Sequence, residues 1–326
     1  MSGPYWQPTA APAVLRERAA MLARIRAWFL AAGLLEVQTP VLSRAAVSDP
    51  ALESVRGELG DGLPRWLHTS PEFAMKRLLA AGAGDCWQIC PVFRDGESGR
   101  LHNPEFTLIE WYRVGAGVTA MVAEVERLLR AAVVNRRDLP PARCLTYREA
   151  LQEFSGVDWR GAGTHEIAGV LAAHGVVPAA STAAWELDDW LDLLMGAVVG
   201  PRLGHDAPTF VRDYPASQAA LARLRDDGDG WPVGERFELY VDGIELANGF
   251  HELCDADEQR RRFECDQQQR LRRGAPLRPL DEHLLAALRH GLPDCAGVAL
   301  GFDRLVMVAL RLPSLADALP FPIDRA

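Results

Sequence analysis

The stretch FRDGESGRLHNPEFTLIEWYR, residues 93–113, decides how the rest of the chain is read. Arg94, Asp95, Glu97, Arg100, His102, Asn103 and Glu105 crowd one loop between two apolar runs that read as strands. A loop that only joins two strands has no need of that charge density, so the composition points to a polar, multiply charged ligand. From residue 104 onward, strand alternation sorts the side chains onto two faces. Phe106, Leu108, Glu110 and Tyr112 share one face; Glu105, Thr107, Ile109, Trp111 and Arg113 share the other. Taken alone, the first face also fits a structural Glu–Tyr hydrogen bond. Beside Arg94 it fits ATP next to an amine: a ring for stacking, a guanidinium for phosphate and a carboxylate for a cation.

Working outward, two other stretches carry compatible chemistry. In GVALGFDRLVMVAL a strand of small residues runs into a helix with Arg304 in its first turn, a ready phosphate site. In GIELANGFHEL, Glu245 and Glu252 are hard oxygen donors suited to Mg²⁺ on a triphosphate. Their odd spacing puts them on opposite faces of an unbroken strand, so a shared metal requires a bulge or break between them. Asn248-Gly249 is the expected place, with irregular backbone over 247–250.

The remaining pattern is mixed. Apolar spacing predicts a helix over 14–32, stopped by Gly33, followed by a short strand broken at Pro40. Ser70 reads as an N-cap, with Pro71 at the first helical position and Gly82 at the end. Strands are predicted over 86–93 and 104–113. Helices are predicted over 119–135 and roughly 164–199, with Ala-rich linkers at 176–184. RFELYVDGIELANGF reads as a hairpin about Asp242-Gly243. The Arg-rich helix at 258–273 reads as a solvated face. Hairpin strands with helices between them predict an α+β fold on a largely antiparallel sheet, with a tail at 1–13 and one domain over 14–326.

Composition narrows the function classes. The 326 residues carry a net charge of −9, which argues against wrapping a nucleic-acid backbone. Six scattered cysteines form no C-x-x-C pair, so neither a zinc ribbon nor a disulfide framework is predicted. No apolar run is long enough to span a membrane and no leader is evident, which predicts a cytoplasmic protein. Of 35 basic residues, 34 are Arg and one, Lys76, is Lys.

These stretches together resemble the catalytic core of class II aminoacyl-tRNA synthetases, most closely the lysyl type. The long helix into EVQTPVLS, with Pro40, resembles motif 1; residues 93–113 resemble motif 2; GVALGFDRLVMVAL resembles motif 3. The resemblance covers residues 14–326. It leaves no room for the anticodon-binding barrel of a lysyl enzyme, so the likeness is to the stand-alone paralogues that act on a protein, with tRNA an unlikely partner. What the resemblance implies is ATP-dependent activation of (R)-β-lysine or lysine as an adenylate, with Mg²⁺, and transfer to a lysine ε-amine of elongation factor P by a homodimer. A synthetase-like regulatory module that binds ATP and amino acid without transfer is the alternative.

The resemblance also implies roles. Arg94 and Arg304 would be catalytic, on the α-phosphate and the outer phosphates. Asp95, Gly96, Glu97, His102, Asn103, Phe106, Glu245, Leu246 and Gly301 would complete the ATP site. Ser70, Pro71, Glu72, Glu110, Tyr112, Asn248, Glu252 and Ala299 would bind the amino acid, and Glu245 and Glu252 the metal. The sequence departs from the lysyl pattern twice. Arg94-Asp95-Gly96-Glu97 replaces Arg-x-Glu, leaving open which acid meets adenine, and Ala299 replaces a Gly, where a methyl favours an amine displaced by one carbon. His251 is a candidate base for the acceptor amine.

Overall fold

In the computed structural model, which describes residues 6–178, 182–183 and 185–326, helix α1 (Pro12–Ala31) carries a proline in its first turn, where a missing N–H costs no hydrogen bond. The chain turns at Gly33, whose φ is +76°. Ahead of α1, the Thr9 and Ala10 amides donate to the Pro320 and Leu319 carbonyls, so residues 9–10 pack with the domain rather than form a loose tail. The break at Pro40 sends its two halves, β1 (Leu35–Glu36) and β2 (Leu42–Ser43), into different sheets.

β3 (Arg56–Glu58) and β4 (Pro64–Leu67) complete a small sheet with β2. Then come α2 (Glu72–Ala80), β5 (Cys86–Phe93), β6 (Glu105–Val114), α3 (Val118–Ala132) and β7 (Arg143–Thr146). Three helices follow: α4 (Tyr147–Ser155), α5 (Thr164–Ala173) and α6 (Leu187–Leu194). The helix expected over 164–199 is therefore two. Gly175, at φ +73°, turns the chain after α5, and a π-turn at Met195–Val199 extends α6; the expected linkers at 176–184 lie partly outside the described residues. β8 (Thr209–Pro215), β9 (Leu224–Asp226), β10 (Pro232–Val241) and β11 (Ile244–His251) precede α7 (Ala256–Arg272), α8 (Glu282–Gly291), β12 (Cys295–Gly301) and α9 (Phe302–Leu310).

The main sheet runs β1-β5-β6-β12-β11-β10-β8-β7, with β9 on β10. The β1–β5 and β7–β8 pairs are parallel and the others antiparallel, which is the α+β arrangement expected. One face buries Ile109, Trp111, Val298 and Leu300 against Met21, Ile25 and Phe29 of α1, Val125 and Leu128 of α3, and Leu305 of α9. The apolar stripe of α1 thus faces its own core. The opposite face packs α2, α7 and α8 at one end and opens into a cavity in the middle. Arg260, paired with Glu282, and Arg261, paired with Glu258, fit the solvated-face reading, whereas Arg262 is mostly buried and also donates to the Ala220 and Ala222 carbonyls. Arg270 departs furthest from it. It is buried and donates to the Asp49, Leu52 and Pro276 carbonyls while pairing with Glu53, so it ties the 49–53 loop to α7.

The β10–β11 hairpin turns at Asp242 and Gly243, both at positive φ, as their sequence requires. Leu239 pairs with Ala247, but Tyr240 pairs with Glu245, so Leu246 is an extra residue in β11. The bulge expected at 247–250 lies at Leu246 instead, and residues 247–251 pair regularly with β12. One inserted residue shifts the alternation by one, which puts Glu245 on the face that carries Asn248, Phe250 and Glu252.

Candidate active site

The cavity encloses about 1830 Å³, roomier than the few hundred to about 1,000 Å³ of a typical small-molecule pocket, and so suited to a nucleotide and a second substrate together. Its floor is the sheet face predicted by alternation: Phe106, Leu108, Glu110 and Tyr112 of β6 all line it. On β12, Gly297, Ala299 and Gly301 pair with Tyr112, Glu110 and Leu108 and line it as well. These residues are small because the neighbours need the space. A Cβ on Gly297 would lie 2.2 Å from Tyr112 Cε1 and 2.5 Å from Glu252 Oε1.

One half is built for an anion. The Arg94 guanidinium lies over the Phe106 ring, 5.0 Å from its centroid, with Glu97 3.6 Å away. Arg94 Nε is buried yet has no hydrogen-bond partner among the described residues. From the other side Arg304, in the first turn of α9, donates to the Leu101 carbonyl (3.2 Å), the Glu245 carbonyl (2.9 Å) and His102 Nε2 (2.9 Å). Burial first, and then the Arg304 charge, hold the His102 imidazole below its ordinary pKa, so it accepts from Arg304 as a neutral ring. Asn103 lines the same half, donates to the Glu105 carbonyl and accepts from the Ile323 amide. Glu97, Leu246 and Gly301 also line the cavity, whereas Asp95 and Gly96 do not. Gly96 has a φ of +77°, and the turn it makes carries Asp95 outward and returns Glu97.

The other half is acidic. Ser70 accepts from the Glu72 amide (3.0 Å) just ahead of α2, which begins one residue later than expected, so Pro71 and not Ser70 stands at its cap. The same Ser70 hydroxyl donates to Glu110 Oε2 (2.7 Å), and the Tyr112 hydroxyl donates to Glu110 Oε1 (2.6 Å). Burial, then the charge of Glu72, push the Glu110 carboxyl up to about 7 against the pull of those two bonds. Glu252 is 1% exposed; burial pushes it up to about 8 against the attraction of Lys76. Three carboxylates, Glu72, Glu110 and Glu252, so meet in one buried recess.

Glu245 and Glu252 both line the cavity, but they do not converge. About six strand steps separate them, roughly 20 Å. Glu252 is paired with Lys76, whereas Glu245 lies beside Arg304 (3.5 Å). The shared metal role expected for this pair is therefore corrected: they lie on one face but too far apart for one ion. Among the described residues no group of three or more His, Cys, Asp and Glu is arranged to hold a metal on its own. The acid whose charge Glu245 feels is Glu238 on β10, two residues from Tyr240, which pairs with Glu245; Glu238 is buried and does not itself line the cavity. Withdrawal from water and then the Glu238 charge push the Glu245 carboxyl up. Glu238 accepts from Tyr240 Oη (2.6 Å) and pairs with Arg236, a cavity residue. Sequence reasoning missed both residues, although the alternation Arg236, Glu238, Tyr240 in RFELY carried the same signal as the strand of residues 105–114. His251 lies on the opposite face of β11, between Glu235 (3.1 Å) and Asp294 (2.8 Å), outside the cavity lining.

The open face of a largely antiparallel sheet thus joins an arginine-lined anion site to a carboxylate recess, an arrangement suited to a nucleotide beside a cationic substrate. The chain belongs to the class II tRNA synthetase family: the family described as tRNA synthetases class II (D, K and N) matches residues 7–325. Similar curated proteins of Salmonella arizonae and Salmonella gallinarum bear the name elongation factor P--(R)-beta-lysine ligase. Each is 45% identical to this chain over 326 residues, which covers 98% of this chain and 98% of the relative. No helix among the described residues is long and apolar enough to cross a membrane.

Proposed function

We propose that this chain is an ATP-dependent ligase that activates (R)-β-lysine or lysine and transfers it to a lysine ε-amine of elongation factor P, working as a cytoplasmic homodimer without tRNA. The observation that carries this reading is the division of one cavity into a cationic half and a three-carboxylate half along a single sheet face. The names of relatives matched over nearly their whole length agree with it.

In the first step a carboxylate oxygen of the amino acid attacks the α-phosphorus of ATP, and pyrophosphate leaves. Arg94 and Arg304 bind the phosphates from opposite sides and stabilise the charge that builds on them. Phe106 offers the ring for adenine, with Glu97 the acid turned toward it. Glu110, Tyr112, Glu72 and Glu252 hold the substrate's ammonium groups, and Ser70 orients Glu110. Glu238 and Glu245 would hold a divalent cation: they are hard oxygen donors on adjacent strands whose charges repel, which Mg²⁺ would relieve while drawing charge from the phosphates. In the second step the neutral acceptor amine attacks the acyl carbon, the C–N bond forms, and the C–O bond to AMP breaks. Ala299 narrows the floor opposite Glu110, which fits an amine displaced from the α-carbon.

Intact-mass measurement of elongation factor P after incubation with the protein, ATP and each lysine isomer tests the reading. A gain of one aminoacyl group that requires ATP supports it. Amino-acid-dependent pyrophosphate exchange with no mass gain would instead indicate a chain that activates without this transfer.

A further inference from the structure

Lys76 is the lone lysine in a chain with 34 arginines. A preference for arginine at cationic positions explains the 34 and leaves the exception unexplained. Lys76 is 1% exposed, on the inner side of α2 between Met75 and Leu79 of the core. Its Nζ lies 2.6 Å from Glu72 Oε1 and 2.5 Å from Glu252 Oε2. It therefore stands behind the carboxylates of the recess, outside the cavity lining, and is not used in the chemistry described above. An arginine there would bring a planar fork with five donors into a space that serves a compact ammonium.

Resting on the activity proposed above, we propose that Lys76 is the fixed counter-charge of the amino-acid recess. It orients Glu72 and Glu252 and cancels one of the three carboxylates. Burial holds protons on Glu110 and Glu252 in the empty recess; when two ammonium groups enter and those protons leave, the net charge is minus two and matches the substrate. Lys76 is thus a positioning and specificity-determining residue, not a catalytic one. Burial works to depress its ammonium, but Glu252 and Glu72 outweigh burial and push its pKa up, so the counter-charge is permanent. The contact also fixes Glu252, whose Oε1 fills the space that Gly297 leaves open. Without the ammonium, three like charges would share one buried recess, and the recess would relieve the repulsion by protonation or by displacing a carboxylate. Either change removes an acceptor that the second ammonium needs.

The test uses the full chain as wild type, Lys76→Met, Lys76→Arg and the double variant Lys76→Met/Glu72→Gln. Pyrophosphate exchange is measured with the lysine isomer that the wild type activates best, and with its analogue lacking the side-chain amine. ATP affinity is measured separately by calorimetry. Lys76→Met is expected to raise the KM for the diamino acid on the order of a hundredfold, and to erase most of the preference over the analogue, with ATP affinity within about threefold of wild type. Lys76→Arg is expected not to rescue, because charge without the right shape displaces the carboxylates. The double variant again leaves two carboxylates for two ammonium groups, and is expected to recover about tenfold of the lost KM. A Lys76→Met protein with KM and preference unchanged would overturn the proposal. So would a double variant no better than the single one, or one that also loses ATP affinity, since the residue would then be structural. A wild type showing no exchange with any lysine isomer defeats the proposed activity itself, whereas normal wild-type exchange with an indifferent Lys76→Met defeats only this inference.

Discussion

At the scale of single residues, the two halves of the cavity place opposite demands on charge. Among the described residues the Arg94 side chain lies over Phe106 and beside Glu97, both of which line the cavity, so its removal should spare the fold. Arg94→Ala is expected to lower pyrophosphate exchange roughly 10²–10³-fold, the scale for one preorganised charge-stabilising donor. The melting temperature should hardly move. Near-normal exchange would remove Arg94 from the phosphate site. Glu110 answers to pH instead. Its carboxyl titrates at about 7 in the folded chain against an ordinary value of 4.5. Between about pH 5 and about pH 7 the unfolded chain releases this proton while the folded chain keeps it, so the folded state loses stability as pH rises. Glu110→Gln is free of that loss. Its melting temperature relative to wild type should climb across the same window and level off above it, and parallel pH profiles would show that Glu110 is ionised throughout. The same variant should weaken lysine binding far more than ATP binding, because a buried carboxylate facing an ammonium is worth about 3–5 kcal/mol when broken.

At the scale of elements, strand alternation explains what could be read in advance. The face of β6 was legible because its ten residues pair without a register shift on either side, so period two holds from Glu105 to Val114. Along β11 the rule fails at Leu246, because a bulge depends on the partner strand as much as on local sequence. Sequence spacing demanded an interruption and could not locate it. Nor could it show that Glu245 and Glu252 serve different ends of the cavity, since the identity of the acid opposite each is a tertiary fact. Small residues on β12 were visible as a pattern, whereas their reason appears only in the contact geometry. Gly297→Ala puts a methyl well inside van der Waals contact with Tyr112 and Glu252. Overpacking of that kind is expected to cost about 1–3 kcal/mol in chemical denaturation and to raise the lysine KM. Wild-type stability together with wild-type KM would mean that the floor has slack.

At the scale of the whole molecule, the proposed homodimer must be argued from what the fold leaves outside. The apolar stripe of α1 is not free to pair with a second chain, because Met21, Ile25 and Phe29 are spent on the chain's own core. What remains on this side is different. Leu30 is 79% exposed and Leu35 is 53% exposed, at the end of α1 and in the two-residue edge strand β1. Leu42, Leu59 and Leu63, in and around the small sheet, are exposed too. An open sheet edge beside exposed leucines is what a protein normally covers, and a two-fold axis covers it by presenting the same patch twice. Light scattering at micromolar concentration is therefore expected to give twice the chain mass of 35.8 kDa. The double variant Leu30→Glu/Leu35→Glu places like charges against each other across the axis and should give the single-chain mass with an unchanged circular dichroism spectrum. A wild type that scatters as one chain would remove the dimer. A double variant that stays dimeric would move the interface away from this edge, toward surfaces that the exposed leucines do not mark.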